Sequence, residues 1–312
     1  MGWTPQVAVL IPCLNEEAAI GRVVADFRTH LPGAVIFMYD NGSTDRTIEA
    51  ARAAGAVVRR ESSRGKGNVV RRMFADIEAD IYVLVDGDDT YDAPSAPALV
   101  DRLVADSLDL IIGARKQESE LAYRRGHRFG NRLLTGLVAW FFGERVDDML
   151  SGYRIMSRRF VKSFPAIASG FEIETELTVH ALQLRLPIAE SATPYRERPA
   201  ASSSKLRTIP DGIRIVRLIT RLIREERPLE FFSAIAALFA LVSVVLAIPV
   251  VTEYLLTGLV PRLPTAVLSV GLMLVAFLSL TCGLILATVT RGRMEVKRLQ
   301  YLSVPIRFPR ST

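Results

Sequence analysis

The sequence predicts an α/β domain built on a mainly parallel sheet, followed by two helices long enough to cross a membrane. Three observations support this prediction. Short apolar segments typical of buried strands alternate with helical segments through the first part of the chain. Acidic residues directly follow one of these apolar segments, and two long stretches near the end of the 312-residue chain contain no charged residue.

The alternation of elements is regular. Strands are predicted at 7–12, 34–39, 57–58 and 81–85, and helices at 16–30, 45–54 and 69–79. Near-continuous apolar runs indicate strands that are buried on both faces, with helices covering the sheet. This order is typical of a doubly wound sheet that binds a nucleotide at the carboxyl ends of its strands.

An acidic turn follows the strand at 81–85. It contains Asp86, Gly87, Asp88 and Asp89, and its place after a buried strand puts the carboxylates at the carboxyl edge of the sheet. Mg²⁺ or Mn²⁺ binds through one or two carboxylates, with water and phosphate oxygens completing its shell, and a glycine lets the backbone approach closely. The turn therefore predicts a metal site for a diphosphate group. The alternative is an acidic turn that only ends the strand.

Further polar motifs lie at the same predicted edge, and together they carry a family resemblance. They are Pro12-x-x-Asn15-Glu16, Asp40-x-Gly42-Ser43-x-Asp45-x-Thr47, Arg64-Gly65-x-Gly67 and Asp86-x-Asp88. Their order and spacing resemble those of family 2 glycosyltransferases of the GT-A fold. Downstream motifs are Asp148-x-x-Ser151-Gly152-Tyr153-Arg154, Gly170-Phe171-x-x-x-x-Glu176 and Ser204-Lys205-Leu206. These resemble the polyprenyl-phosphate sugar transferases, such as dolichol-phosphate mannose synthase, and the similarity covers residues 1–228.

The resemblance implies roles for individual residues in binding a nucleotide-diphosphate sugar. Asp88 is the expected metal ligand, and Asp86 is expected to bind the ion or the ribose. Asp40 matches the position that bonds the nucleobase. The other residues expected to contact the nucleotide sugar are Pro12, Asn15, Glu16, Arg64, Gly67 and Lys205. Lys66 either faces the same ligand or is an ordinary surface cation.

The expected acceptor is a lipid monophosphate, which is an anion at neutral pH and needs no base before it attacks. Arginines suit the binding of such a phosphate. Candidates in one basic segment are Arg115, Arg124, Arg125, Arg128 and Arg132. Arg128 and Arg154 are predicted to act in catalysis, and Arg154 and Lys205 are expected to hold the diphosphate or the acceptor phosphate. A single displacement would invert the anomeric centre.

Two uncharged stretches predict membrane spans. Residues 231–251 and 266–290 contain 21 and 25 residues without a charge, and about 20 apolar residues suffice to cross a bilayer. Arginines and lysines flank the two predicted spans on their outer sides, whereas Arg262 is the only basic residue in the loop that connects them. The positive-inside rule therefore predicts that the catalytic domain and both termini are cytoplasmic, in a multi-pass protein of the inner (plasma) membrane.

These predictions divide the chain into four parts. They are a cytoplasmic GT-A domain at 1–209, an amphipathic juxtamembrane helix at 210–228, a transmembrane hairpin at 229–292 and a cytoplasmic basic tail at 293–312. The helix at 210–228 carries arginines on one side and apolar residues on another, which suits either the membrane interface or packing on the domain. The resemblance also allows a homo-oligomer assembled through the membrane segments.

The predicted activity is inverting transfer of a sugar from a UDP-sugar, with GDP-mannose as the second possibility, to undecaprenyl or dolichyl phosphate. The alternative is a membrane glycosyltransferase with a hydroxyl acceptor, in polysaccharide or glycolipid synthesis. A processive synthase is disfavoured because its Gln-x-x-Arg-Trp signature is absent from the sequence. The net charge of +6 is concentrated beside the spans, where anionic lipid would attract it, and no nucleic-acid motif accompanies it.

Overall fold

The computed structural model describes residues 4–117, 146–170, 172–196 and 227–305, together with Gly136 and Arg224. The strands are β1 (Val7–Cys13), β2 (Val35–Asp40), β3 (Val57–Arg60), β4 (Ile81–Leu84), β5 (Leu110–Gln117), β6 (Arg154–Ser157) and β7 (Ile188–Tyr195). The helices are α1 (Ile20–His30), α2 (Thr47–Ala53), α3 (Lys66–Asp76), α4 (Ala96–Ala105), α5 (Arg158–Ser163), α6 (Ile173–Leu184), α7 (Pro228–Thr257) and α8 (Leu263–Ser303).

The strands of the described region form one sheet in the order β3-β2-β1-β4-β6-β5-β7. Among them β6 alone runs antiparallel to its neighbours, β4 and β5, while β5 pairs in parallel with β7. The register of β1 against β2 places Cys13 beside Asp40, so both strands end at the same edge. The predicted mainly parallel α/β fold is confirmed, and the antiparallel β6 is a feature that the alternation of elements does not reveal.

Helices cover both faces of this sheet. Val9 of β1 and Val83 of β4 share one core with Phe27 of α1, and all three are buried. Side chains alternate along a strand, so Tyr82 points to the opposite face, where its ring lies 6.3 Å from that of Phe74 in α3. Burial on both faces explains why these strands read as continuous apolar runs.

The apolar helices α7 and α8 form most of a second compact unit, residues 213–296. They have 30 and 41 residues, and both are long and apolar enough to cross a membrane. Ser243 and Ser269 each donate a hydroxyl hydrogen bond to the other's carbonyl oxygen, at 2.8 and 3.0 Å. Ala276 and Gly283 are small and buried, and a Cβ on Gly283 would lie 2.9 Å from the Cβ of Phe232, so small residues let the two helices approach closely.

The carboxyl-terminal end of α8 belongs to the α/β unit rather than to the apolar one. The Tyr301 hydroxyl donates to Asp109 at 2.8 Å, and the Arg159 guanidinium lies 4.8 Å from the centre of the Tyr301 ring. Lys297 donates to Gln183 of α6 at 2.7 Å. Residues 297–303 are therefore part of the packing of the α/β unit. The predicted juxtamembrane helix at 210–228 lies outside the described residues except for Arg224, Arg227 and Pro228.

Candidate active site

The loops after β1 and β2 interlock at the carboxyl edge of the sheet. The side-chain oxygen of Asn15 accepts the Thr44 amide at 2.8 Å, and the Asn15 amide donates to the Ser43 hydroxyl at 2.9 Å. Asn15 has a positive φ of 54°, which asparagine tolerates better than most residues. The next amide, that of Glu16, donates to Thr47 at 2.9 Å. Asn15 and Glu16, two of the residues expected to contact the nucleotide sugar, are thus held in one pair of hydrogen-bonded loops.

Asp40 ends β2 and is buried. Its carboxylate accepts the Gly42 and Ser43 amides, each at 3.1 Å, which fixes the turn. The guanidinium of Arg64 lies over this turn, since a Cβ added to Gly42 would be 3.6 Å from its Nη2 atom. Asp40 and Arg64 therefore lie at the same turn, and their binding of one ligand stays a prediction.

Asn41 is a positioning residue that sequence reasoning missed. Its side-chain amide donates to the carbonyls of Glu61 and Ser63 at 3.0 and 2.8 Å. Its side-chain oxygen accepts the Gly65 amide at 2.7 Å. Asn41 therefore ties the loop after β3 to the loop after β2. Its place between Asp40 and Gly42 in the recognised motif was the available signal.

The acidic turn after β4 presents its carboxylates in three different settings. Asp88 is buried, and Thr90 donates a hydroxyl hydrogen bond to its Oδ1 at 2.6 Å. Asp86 has a side chain that is 26% exposed. Asp89 has a φ of 60° and lies 3.6 Å from Arg22 on α1. Gly87 packs over the Cys13 sulfur, which a Cβ would approach to 2.5 Å.

Lys66, the first residue of α3, is buried beside this turn with a side chain that is 10% exposed. Its ammonium donates to Asp86 Oδ1 and, at 2.5 Å, to Glu174 Oε1 of α6. Burial alone would lower the pKa of Lys66, but the charges and hydrogen bonds of Asp86 and Glu174 raise it overall. Lys66 is thus a buried cation of the candidate site and not a surface residue.

Glycines allow the loop before α3 to pack closely. A Cβ on Gly67 would lie 2.1 Å from the Ala168 carbonyl oxygen, and one on Gly65 would lie 2.1 Å from that of Ser169. The segment they contact is fixed by Glu176, whose carboxylate accepts the amides of Ile167 and Ala168 at 3.0 and 2.7 Å. Because Gly67 has no side chain, the start of α3 can pack directly against the Ala168 carbonyl, and this packing fixes the position of the neighbouring Lys66.

Arg154 is fully buried at the start of β6. Its guanidinium donates to the carbonyls of Met149 and Ser151 at 2.8 and 3.0 Å and to the Thr178 hydroxyl at 2.9 Å. Burial lowers the pKa of Arg154 to about 10, against the opposing effect of Glu174. Thr178 in turn donates to the carbonyl of Glu174, so this arginine supports the helix that carries Glu174. The structure places Arg154 inside the domain rather than on the open edge.

The side chain of Arg115 also bonds to another residue of the domain. It makes two side-chain hydrogen bonds to Asp148, both at 2.7 Å. Burial alone would raise the pKa of Asp148, but the bonds and charge of Arg115 lower it overall. The remaining predicted acceptor arginines, including Arg128, and the predicted Lys205 lie outside the described residues.

A mainly parallel α/β sheet with an acidic turn and a glycine-rich basic loop at its carboxyl edge has the architecture of the GT-A glycosyltransferases. The chain belongs to glycosyl transferase family 2, whose model matches residues 8–164. The predicted family and fold are therefore confirmed.

Named relatives extend the similarity. Glycosyltransferase AglJ of Haloferax volcanii is 31% identical over 298 residues, which are 95% of this chain and 98% of the relative. The dolichyl-phosphate hexose transferase of the same organism is 31% identical over 221 residues, which are 71% of this chain and 95% of that protein. A solved structure of glucosyl-3-phosphoglycerate synthase from Mycobacterium tuberculosis, in complex with Mg²⁺ and UDP, is 25% identical with a TM-score of 0.58. That match covers 72% of this chain and 84% of the other.

Proposed function

We propose that this glycosyltransferase moves a sugar from a nucleotide-diphosphate sugar, with a UDP-sugar favoured over GDP-mannose, to a polyprenyl phosphate. The observation that carries the proposal is the presence in one chain of an acidic site with a buried cation and two long apolar helices. A water-soluble acceptor would require only the first of these features. The dolichyl-phosphate relative and the UDP-bound structure support the lipid phosphate and the uridine nucleotide respectively.

The acidic turn fits a divalent cation that arrives with a diphosphate. Within the described part of the chain no group of three or more His, Cys, Asp or Glu residues is arranged to hold a metal. Mg²⁺ typically takes one or two carboxylates and completes its shell with water and substrate phosphates. Asp88 and Asp86 would hold Mg²⁺ or Mn²⁺, which would neutralise charge on the departing diphosphate. Lys66 supplies a buried positive charge beside them.

The acceptor step needs orientation rather than a protein base. A phosphate monoester is already anionic, so one of its oxygens attacks the anomeric carbon as the bond from that carbon to the diphosphate oxygen breaks. Attack from the opposite side inverts the anomeric centre. Glu176 is poorly suited to act as a base, since both of its carboxylate oxygens accept backbone amides.

The apolar helices would present the lipid at the cytoplasmic face of the membrane. Basic residues precede α7 in sequence and continue in α8 beyond its uncharged stretch. In the connecting loop, Arg262 lies 3.2 Å from Glu253, so the two charges offset each other. The positive-inside rule then favours a cytoplasmic location for the α/β unit.

Replacing Arg128 by Ala is expected to raise the KM for lipid phosphate about 10- to 100-fold, with little effect on the KM for the nucleotide sugar. The reason is the loss of a charge-assisted hydrogen bond, which contributes about 1.5–3 kcal/mol. Initial rates measured while each substrate is varied in turn will separate the two constants.

The matched control is Arg52→Ala on the exposed surface of α2, which should leave both constants unchanged. Glu176→Gln tests the role of a base in the same assay. If this variant remains folded but loses turnover, and recovers it as the pH is raised, a protein base is required. That result would favour a hydroxyl acceptor and contradict the proposal.

A further inference from the structure

Lys66 joins two carboxylates from different parts of the fold. Asp86 follows β4, Glu174 lies in the first turn of α6, and the Lys66 ammonium contacts both. The side chains of Lys66 and Glu174 are 10% and 6% exposed. A charged group so far removed from water is stable only while its partners are in place.

This arrangement has a consequence for a divalent cation that enters the site alone. One of the two carboxylates proposed to hold the cation, Asp86, is already neutralised by Lys66. The described residues provide no group of three or more metal-ligating side chains that could compensate. A bare cation must therefore compete with an ammonium group that is already bound.

The surroundings indicate which partner can move. Asp86 is confined, because a Cβ on Gly152 would lie 2.6 Å from its Oδ2 atom. Lysine has a flexible four-carbon stem and a compact charge. The Oε2 atom of Glu174 is buried and has no hydrogen-bond partner among the described residues. Lys66 can therefore turn away from Asp86 while Glu174 continues to hold it.

We propose that Lys66 is an exchangeable counterion: it neutralises Asp86 in the empty site and turns toward the diphosphate when nucleotide and divalent cation enter together. This inference rests on the proposed function. The diphosphate offers the ammonium a new anionic partner and offers the cation its missing oxygen ligands. The nucleotide and the cation consequently bind as a pair, each raising the affinity for the other.

The counterion role predicts effects of opposite sign when Lys66 is replaced by Met. Asp86 loses its competing cation, so Mn²⁺ alone should bind more tightly, by about fivefold or more. The diphosphate loses an attractive charge, so UDP alone should bind more weakly. The factor by which UDP raises the affinity for Mn²⁺ should fall, and linkage requires the reciprocal factor to fall equally.

The experiment uses the full-length chain in detergent and measures binding rather than turnover. Free Mn²⁺ is followed by electron paramagnetic resonance, without UDP and at saturating UDP, and UDP binding in EDTA is followed by calorimetry. Lys162→Met is the matched control, because Lys162 is also largely buried and bonds the Phe74 and Ile77 carbonyls and Glu78. Its replacement should leave all three affinities unchanged. If Lys66→Met does not fold, Lys66→Gln carries the same expectation.

Each outcome bears on the inference. Tighter Mn²⁺ binding together with weaker UDP binding supports the exchange. If Lys66→Met binds both Mn²⁺ and UDP more weakly, Lys66 only maintains the shape of the site. If its affinity for Mn²⁺ is unchanged, Lys66 does not compete with the cation. Either result overturns the inference. If the unsubstituted chain binds Mn²⁺ no better with UDP than without it, the proposed metal-dependent function fails as well.

Discussion

Replacing Asp88 by Asn is expected to leave the protein folded and to lower turnover by about 10²- to 10³-fold, the loss typical of removing one preorganised electrostatic contact. Asp88 is buried and accepts a hydrogen bond from Thr90 at 2.6 Å. Asparagine has the same shape and can keep that bond through its side-chain oxygen. It lacks the negative charge that would hold a divalent cation beside the departing diphosphate.

Single-turnover rates at saturating substrate, with thermal melting as the test of folding, measure this effect. Asp89→Asn is the control from the same turn. Asp89 has a φ of 60°, which asparagine accepts, and it faces the exposed Arg22 at 3.6 Å. An ion pair with such an exposed partner contributes little. Equal losses in the two variants would show that Asp88 has no special role, and full activity in EDTA would remove the metal from the mechanism.

Replacing Arg154 by Met is expected to destabilise the α/β unit by at least about 3 kcal/mol, because each buried acceptor left without its donor costs about 1–3 kcal/mol. Three acceptors lose their partner: the carbonyls of Met149 and Ser151 and the Thr178 hydroxyl. Methionine fills much of the volume, so the missing hydrogen bonds account for most of the loss. Glu174 also loses a nearby positive charge.

Thermal melting of the full-length chain in one detergent, with Arg102→Met as control, measures this effect. Arg102 lies on α4, is 43% exposed in its side chain and pairs with Asp106, the residue that follows the helix. Its one bond to another element is an exposed hydrogen bond to the Glu190 carbonyl at 3.2 Å, so its loss should cost much less than that of Arg154. If Arg154 instead binds the acceptor phosphate, as the sequence predicts, its replacement should change substrate binding rather than stability. An Arg154→Met variant of unchanged melting temperature and raised KM for lipid phosphate would restore that role.

The sequence predicts that Arg154 binds a phosphate, whereas the structure buries it among backbone carbonyls, and this difference shows what the sequence alone does not reveal. Continuous apolar runs predict β1, β2 and β4 well, because strands that are buried on both faces are apolar along most of their length. It does not show that the chain returns to insert β6 between β4 and β5. This insertion places Arg154 within the sheet, where an arginine of a recognised motif is held by backbone carbonyls.

The candidate site divides in the same way. Residues within one motif, such as Asp86 and Asp88, are predicted from the sequence because both follow the end of one strand, in a single turn. The contact between Lys66 and Glu174 joins residues 108 positions apart, and no local pattern encodes it. Gly67 illustrates a third case. Its motif was recognised, but only the structure shows that the residue packs against the Ala168 carbonyl.

The identity of the acceptor tests the account most directly. Purified protein with Mn²⁺ and a panel of radiolabelled nucleotide sugars would be offered either undecaprenyl phosphate or undecaprenol, which has the same chain without the phosphate. We expect label in the lipid fraction with undecaprenyl phosphate alone, as a monophosphate-linked sugar of inverted anomeric configuration. Transfer to the free alcohol at a comparable rate, or to a hydroxyl of a lipid-linked sugar but not to the phosphate, would contradict the proposal.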